Sequence, residues 1–364
     1  MLYQKIIRPI LFLMSAETAH DFVLACLKIF NRFNFLNNLL FKFFNFTNPS
    51  LKQKLFGQYF RTPVGLSAGM DKNATAVNVW PSFDFGFVEI GSVTSQTQAG
   101  NPKPRLWRLP QDKALVVYFG LANMGAKKIS QRLQNLKTKK RGVRIISIAK
   151  NNQTSLNQAA DDYVTAFKVI EAQADIISIN LSCPNVSNFT GLQQKELLEP
   201  ILEAITKVNT KHKPLWLKIG QDLSKNELDD VIALVKKYNI TAIIATNLSK
   251  DKSKLSLVSK NQDKPGGVSG QPISKRVNKI IAYLYQNSEN KYKIIACGGV
   301  FSGADAFTKI KAGANLIALA TGFIYGGPYT AKKINQDLVK LLKENNYSHL
   351  SQAIGKEAQD YEIF

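Results

Sequence analysis

The chain is poor in the residues that most often carry acid–base and metal chemistry. Among its 364 residues it has three cysteines (Cys26, Cys183, Cys297) and three histidines (His20, His212, His349). An odd number of widely spaced cysteines excludes a disulfide framework and fits a reducing, cytosolic setting. The histidines lie too far apart to form a recognisable ligand pattern, so no metal is expected, and another residue type must do any proton transfer. Acidic residues are also scarce, with 26 Asp and Glu against 48 Lys and Arg and a formal net charge of +22. That excess asks for nucleic acid or an anionic membrane surface. The sequence has no zinc-finger spacing, no aromatic-basic RNA motif and no block of clustered Arg. Most of the charge is scattered Lys, which reads as a solvated surface, and no nucleic acid partner is expected. There is no cysteine cluster for an iron–sulfur centre and no glycine-rich dinucleotide fingerprint.

Long apolar runs are missing too. Nothing in residues 1–46 reaches the roughly 18 residues needed to span a bilayer, and Arg8-Pro9 should interrupt the first apolar run. No small-residue cleavage site follows, so a signal peptide is not expected. The segment is nonetheless rich in Phe and Leu. Ser15 is placed to cap a helix with Glu17 in its first turn. Phe22, Val23, Cys26, Leu27 and Phe30 then recur at helical spacing. Phe35, Leu36, Leu39, Leu40, Phe43 and Phe44 repeat the pattern in a second helix. Two amphipathic helices flanked by Lys5, Arg8, Lys28, Arg32 and Lys42 predict an element lying in an anionic membrane interface, ahead of simple packing on the main domain.

What is present from residue 47 to 364 is one repeating unit. Short apolar runs are expected as strands at 63–68, 86–91, 144–149, 174–180, 214–219, 241–246, 293–297 and 315–320. Amphipathic stretches at 159–173, 195–208, 226–238 and 302–312 read as helices between them. Buried, non-alternating strands separated by helices mean parallel βαβ units. Eight in succession predict an α/β fold, a (β/α)8 TIM barrel with a small N-terminal helical extension.

In such a barrel the chemistry sits where strands end. The strand ends here carry Ser67, Ala68, Gly69 and Lys72; Gly91 and Ser92; Asn180 and Cys183; Lys218; Thr246 and Asn247; Gly298 and Gly299; Thr321 and Gly322. Small residues, Asn and Lys at one mouth suit a flat, polar, anionic ligand. The glycines after the seventh and eighth strands suit a phosphate, because only Gly lets backbone N–H groups approach so closely. Cys183 lies in NLSCPNV (180–186), where polar neighbours argue against a buried structural thiol. A cation such as Lys72 would lower its pKa toward the range a general base needs. Cys26 and Cys297, in apolar contexts, read as small hydrophobes.

Together these stretches resemble the dihydroorotate dehydrogenase family. The motifs GLSAGMDK (65–72), EIGSVTSQTQAGNPKPRLWRL (89–109), NLSCPNV, LKIGQDLS (217–224), IATN (244–247), GGVSGQPI (266–273) and CGGV (297–300) occur in family order. The start, with RPILFLMSAETAHDF (8–22), is similar to the membrane-associated, quinone-using class. The resemblance implies oxidation of dihydroorotate to orotate, with FMN as cofactor and quinone as acceptor, at a peripheral site on the cytoplasmic side of a membrane. Carried onto matching positions, Cys183 is the base and Lys72 and Lys218 contact the flavin, with Lys72 also near the substrate. Asn180, Asn185 and Asn247 hold the pyrimidine. Ala68, Gly69, Ser92, Ser147, Asn180, Thr246, Gly270, Gly298, Gly299, Thr321 and Gly322 line the FMN. His20 and Arg105 fall on the quinone side.

The resemblance has departures. A cysteine base is characteristic of the soluble class, whereas the membrane class has Ser. A substrate-binding Asn of the family is Val117, a Thr after the sixth-strand Asn is Leu248, a flavin-contacting Asn is Ser147, and a Tyr near the flavin is Ala320. Asn123 is close enough in sequence to stand in for the missing amide. Three readings follow: dihydroorotate:quinone oxidoreductase, a related FMN enzyme acting on another dihydropyrimidine-like substrate, or a paralogue without turnover.

Overall fold

The computed structural model describes residues 2–136, 141–182 and 191–362. Its centre is a closed parallel barrel of eight strands: β1 (Val64–Leu66), β2 (Phe87–Val93), β3 (Val143–Ile148), β4 (Ile176–Asn180), β5 (Leu215–Ile219), β6 (Ala242–Ala245), β7 (Lys293–Cys297) and β8 (Leu316–Leu319). Neighbours in space are neighbours in sequence, and β8 closes on β1 through Ile317↔Val64 and Leu319↔Leu66. Six of the eight strands fall inside the expected stretches; β2 runs two residues past 91 and β3 begins one residue before 144. Strands covered on both faces must be apolar throughout, which is why they read as unbroken runs.

One end of the lumen is plugged. A hairpin of Gln53–Leu55 and Gln58–Phe60 pairs antiparallel, and its apolar residues enter the barrel. Phe56 meets Trp216 edge-on at 5.3 Å, Phe60 meets Phe87 at 6.0 Å, and Phe87 meets Trp216 at 6.0 Å. Phe87, Ile176 and Ala242 open their strands, so this plug lies at the N-terminal end. The opposite mouth is left for chemistry. Over it stands a three-stranded antiparallel sheet of Leu106–Leu109, Ala114–Val117 and Gly267–Gly270, with Ala114–Val117 in the middle.

The helical layer follows the expected spacing within a residue or two at most ends. It comprises α4 (Ala126–Gln134), α5 (Ala159–Ile170), α6 (Lys195–Val208), α7 (Lys225–Lys237), α8 (Ser274–Gln286), α9 (Gly303–Lys311), α10 (Thr321–Gly326) and α11 (Thr330–Glu344), after three helices of the extension. Ser224 and Glu227 form a reciprocal capping box at α7, satisfying two backbone donors that the helix leaves open.

The extension contains α1 (Arg8–Leu13), preceded by a π-helical turn at Tyr3–Ile7, then α2 (Ala16–Phe30) and α3 (Asn34–Phe44). Arg8-Pro9 interrupts the apolar run, as the sequence predicts, but not the helix. Pro9 sits in the first turn of α1, and the Arg8 N–H reaches back to Tyr3 O, so the wide turn absorbs the donor that proline lacks. The break falls instead at Met14-Ser15, where the two helical runs meet at 117°. Ser15 caps α2 by accepting from Thr18 N, as expected. No single helix among the described residues is long and apolar enough to cross a membrane.

Arg8 does not face outward with Lys5, Lys28, Arg32 and Lys42. It donates to Tyr325 O on α10. Arg108 holds the end of α1 from the rim sheet, donating to the carbonyls of Leu11 and Met14 at 3.2 and 2.7 Å. Leu27 and Phe44 join the barrel's own core, while Leu13 is 88% exposed and Phe35 75% exposed. Among the described residues, every large apolar side chain left exposed lies between Leu2 and Phe43, apart from Tyr59, Val169, Val258 and Tyr329.

Candidate active site

The open mouth holds a cavity of roughly 1240 Å³, solvent at its entrance included. Ala68, Gly69, Lys72, Ser92, Asn180, Lys218, Thr246, Asn247, Gly270, Gly298, Gly299, Thr321, Gly322 and His20 all line it. Cys183 and Asn185 lie outside the described residues. Ser147 is fully buried one layer back, and Arg105 does not reach the cavity wall.

The floor is a chain of hydrogen bonds between inward-facing strand residues. Ser147 Oγ and Ser92 Oγ lie 2.8 Å apart, and Asn180 Nδ2 donates to Ser92 Oγ at 2.8 Å. Asn247 Nδ2 donates to Ser182 O at 2.8 Å, tying the ends of β4 and β6 together. Lys218 is buried on β5 and donates to Ser67 Oγ at 3.1 Å and to Glu89 Oε2 at 3.2 Å. Burial pulls its pKa down, but the Glu89 carboxylate more than offsets this and the net shift is upward. The same Glu89 oxygen accepts from Ala68 N at 2.9 Å, so one carboxylate fixes both the lysine and the turn after β1.

Glu89 was not singled out by sequence reasoning. Its signal was a charge inside a buried run, two residues before Gly91. Cys297 is buried, as expected, but lines the cavity and lies 3.3 Å from Ser67 Oγ.

The rim is built differently. Lys72 follows β1 and donates to Gly69 O at 2.9 Å. Its ammonium lies 3.7 Å from the centroid of Phe119. Burial lowers its pKa to about 8, although Asp21 pulls the other way. His20 presents Nε2 to Met70 O at 3.0 Å and Nδ1 to Asp21 at 3.2 Å, hanging the cavity edge on α2. Arg105 donates to Glu17 from Nε and Nη2 at 3.0 and 2.9 Å, and from Nη1 to Ala99 O and Asn101 O. Its donors are thus spent on clamping α2 to the segment after β2. Glu17, read from sequence as a first-turn acid, is the buried partner in that clamp.

The match to a family model decides what kind of site this is. The model described as Dihydroorotate dehydrogenase matches residues 50–342. The chain belongs to the dihydroorotate dehydrogenase family. It is 42% identical to a protein of Crocosphaera subtropica named dihydroorotate dehydrogenase (quinone), with 86% of this chain and 85% of that protein covered. A protein of the same name from Trichodesmium erythraeum is 37% identical, with 97% and 98% covered. Among solved structures, the DHODH of Eimeria tenella in complex with ferulenol matches with a TM-score of 0.82 and 30% identity, covering 94% of this chain and 95% of that one.

Dihydroorotate dehydrogenases are flavin-dependent, and the strand ends fit a flavin. Gly299 has φ +67°, a conformation open to glycine, and a Cβ there would stand 2.4 Å from Ser274 Cβ. A Cβ on Gly322 would stand 1.9 Å from Val300 O. These glycines therefore bring bare backbone to the cavity edge, where a phosphate would need N–H donors. Lys218 and Asn180 supply a cation and an amide at the floor.

Of the departures from the family pattern, Val117, Leu248 and Ala320 line the cavity. Val117 ends the middle strand of the rim sheet and, with Leu106, Leu115, Phe119, Leu121 and Leu248, makes one wall of the cavity apolar. Asn123 does not replace the missing amide. Its Nδ2 donates to Leu121 O and Thr94 Oγ1, and its Oδ1 accepts from Gly125 N, so the whole side chain is consumed in a local turn.

Proposed function

We propose that this chain oxidises dihydroorotate to orotate with FMN as its cofactor and quinone as the final acceptor. The observation that carries this is the pair of lysines, Lys72 and Lys218, lining one glycine-edged cavity in a barrel of the dihydroorotate dehydrogenase family. When bound, FMN would supply the two-electron redox chemistry that links oxidation of the substrate at C6 to quinone. The rest is done by side chains. Gly298, Gly299, Thr321 and Gly322 would hold the phosphate end of FMN, with Ala68, Gly69, Ser92, Thr246 and Gly270 along its length. Lys218 would supply a cation to the flavin, with Ser147 steadying Ser92.

Cys183 would take the proton from C5 as thiolate. Lys72, a cation at the cavity rim, would favour that thiolate while protonated, and it would meet the carboxylate of the substrate. Asn180, Asn185 and Asn247 would pair with the pyrimidine edges. A ring desolvated against the apolar Val117 wall feels these charges more strongly than it would in water.

Residues 1–46 would form the membrane and quinone element, and residues 47–364 the flavin barrel. The exposed apolar side chains from Leu2 to Phe43, with Lys5, Lys28, Arg32 and Lys42 among them, suit peripheral binding to an anionic membrane on its cytoplasmic side. His20 would face the quinone, with Arg105 acting behind it by holding α2.

The test is anaerobic. Dihydroorotate added to the yellow protein should bleach the absorbance near the flavin band, and quinone should restore it. Cys183→Ala should slow bleaching by orders of magnitude while keeping the bound flavin. A yellow protein that dihydroorotate does not bleach would mean that the substrate is a different cyclic amide.

A further inference from the structure

Lys72 and Lys218 share the cavity but are anchored by different means. Lys218 has a carboxylate and a hydroxyl on its ammonium. Among the described residues, the one hydrogen bond from Lys72 goes to Gly69 O. Charges surround it at longer range: Asp71 from its own segment, Asp21 and Glu17 from α2, and Arg105 from the segment after β2. What touches it directly is the face of Phe119, at 3.7 Å from ammonium to centroid, well inside the roughly 6 Å at which such contacts act.

Phe119 is itself held. Its carbonyl accepts from Asn101 N at 3.0 Å, and Asn101 Nδ2 donates to the preceding Tyr118 O at 3.0 Å. The Arg105 guanidinium lies 5.1 Å from its centroid, and the His20 ring is tilted against it at 6.3 Å. The ring therefore joins the clamp on α2 to the lysine at the cavity edge.

We propose that Phe119 is a positioning residue for Lys72, its ring face fixing the ammonium toward the substrate space by a cation–π contact. The proposal rests on Lys72 meeting the substrate, as argued above. The ammonium has three N–H directions. Gly69 O takes one and the Phe119 face takes another, which leaves the third for an incoming carboxylate. Loss of the ring's negative face would leave Lys72 free to rotate and would favour its neutral amine.

The experiment replaces Phe119 in the full chain with phenylalanines carrying progressively more ring fluorine. Volume and burial are nearly kept while the π face is weakened stepwise. The first readout needs no substrate: reductive methylation of Lys72 in the flavin-loaded protein, followed by mass spectrometry at pH 6.5, where the neutral amine is a minor form. Reactivity should rise about three- to tenfold along the series, because the ammonium loses a stabilising partner. The second readout is the KM for dihydroorotate, which should rise in the same order with kcat changing less. Phe119→Leu should behave as the end of the series, and Phe119→Trp should restore low reactivity. Lys72 reactivity that is flat across the series would overturn the proposal. So would altered reactivity with an unchanged KM, since the ring would then hold the lysine without positioning it. A failure of dihydroorotate oxidation itself would leave the methylation series intact, so the two failures are distinguishable.

Discussion

The lumen and the rim of this barrel each present one lysine to the same cavity, and they do so by opposite means. In the lumen, Lys218 is buried beside Glu89, and the pair raises its pKa despite desolvation. At the rim, Lys72 rests on an aromatic face with one backbone carbonyl, and desolvation wins, lowering its pKa to about 8. A lysine paired with a buried carboxylate keeps its charge over the working pH range. A lysine that can change its charge is useful where an anionic substrate arrives and an orotate anion must leave. The difference follows from placement. Strand positions put acid and base on facing inward sites at fixed register, whereas the rim segment has no ladder to bring a carboxylate to Lys72.

The largest way to break this contrast is to remove the lumen's carboxylate. Glu89→Gln would leave the Lys218 ammonium buried and unpaired, at a cost of about 3–5 kcal/mol. Thermal melting should show a large loss of stability and the purified protein should shed flavin. Adding Lys218→Met to it should recover part of the stability, because the orphaned charge is then gone. Equal melting of Glu89→Gln and the wild type would mean that the pair is not what holds the floor.

A smaller effect should have opposite signs in the two regions. Lys218→Met strands Glu89 and should lower the melting temperature. Lys72→Met removes a cation held at a desolvated site and should raise it. The sign for Lys72 can be worked through. Its folded pKa of about 8 lies below its ordinary 10.5, so between these values the unfolded chain binds the extra proton. The wild type therefore gains stability from this group as pH rises from about 8 toward 10.5. The advantage of Lys72→Met should be full at pH 7 and shrink above pH 8. Melting curves of both variants from pH 7 to 10 check it, and a gap that widens with pH would contradict the assignment. Both substitutions should depress bleaching by dihydroorotate.

The same contrast explains what could be read from the sequence. The eight strands were legible because burial on both faces leaves unbroken apolar runs, and the glycines and asparagines that close them point to one mouth. The pairing of Glu89 with Lys218 was not legible, since it depends on how residues far apart in the chain meet across the barrel. The hydrogen bond that ties Ser147 to Ser92 had no signal either, since it joins β2 to β3 across 55 residues of chain. The partners of Arg105, Glu17 and two backbone carbonyls, were likewise not legible. A guanidinium's partners lie beyond the reach of spacing. At the N-terminus, Pro9 reads as a breaker unless its N–H-free position coincides with a first turn, as it does here. The rim segment from Val117 to Asn123 has no period at all, so the stack of Lys72 on Phe119 had no sequence signal.

Val117 gives the smallest and most informative test of the rim. It is only partly buried, so an amide placed there would stay hydrated in the substrate-free protein, and Val117→Asn should change melting little. On substrate binding that amide would lose water and gain a hydrogen bond to a pyrimidine edge, worth about 0.5–1.5 kcal/mol net. If dihydroorotate meets this wall through its polar edge, its KM should fall by roughly three- to tenfold, since 1.4 kcal/mol is a factor of ten. If KM rises instead, the wild-type wall works by apolar contact, and the new amide has been buried against carbon at a cost. In that case the rim selects its substrate by shape and by Lys72, and the lumen alone supplies the hydrogen bonds. Steady-state kinetics on the one variant decides between them.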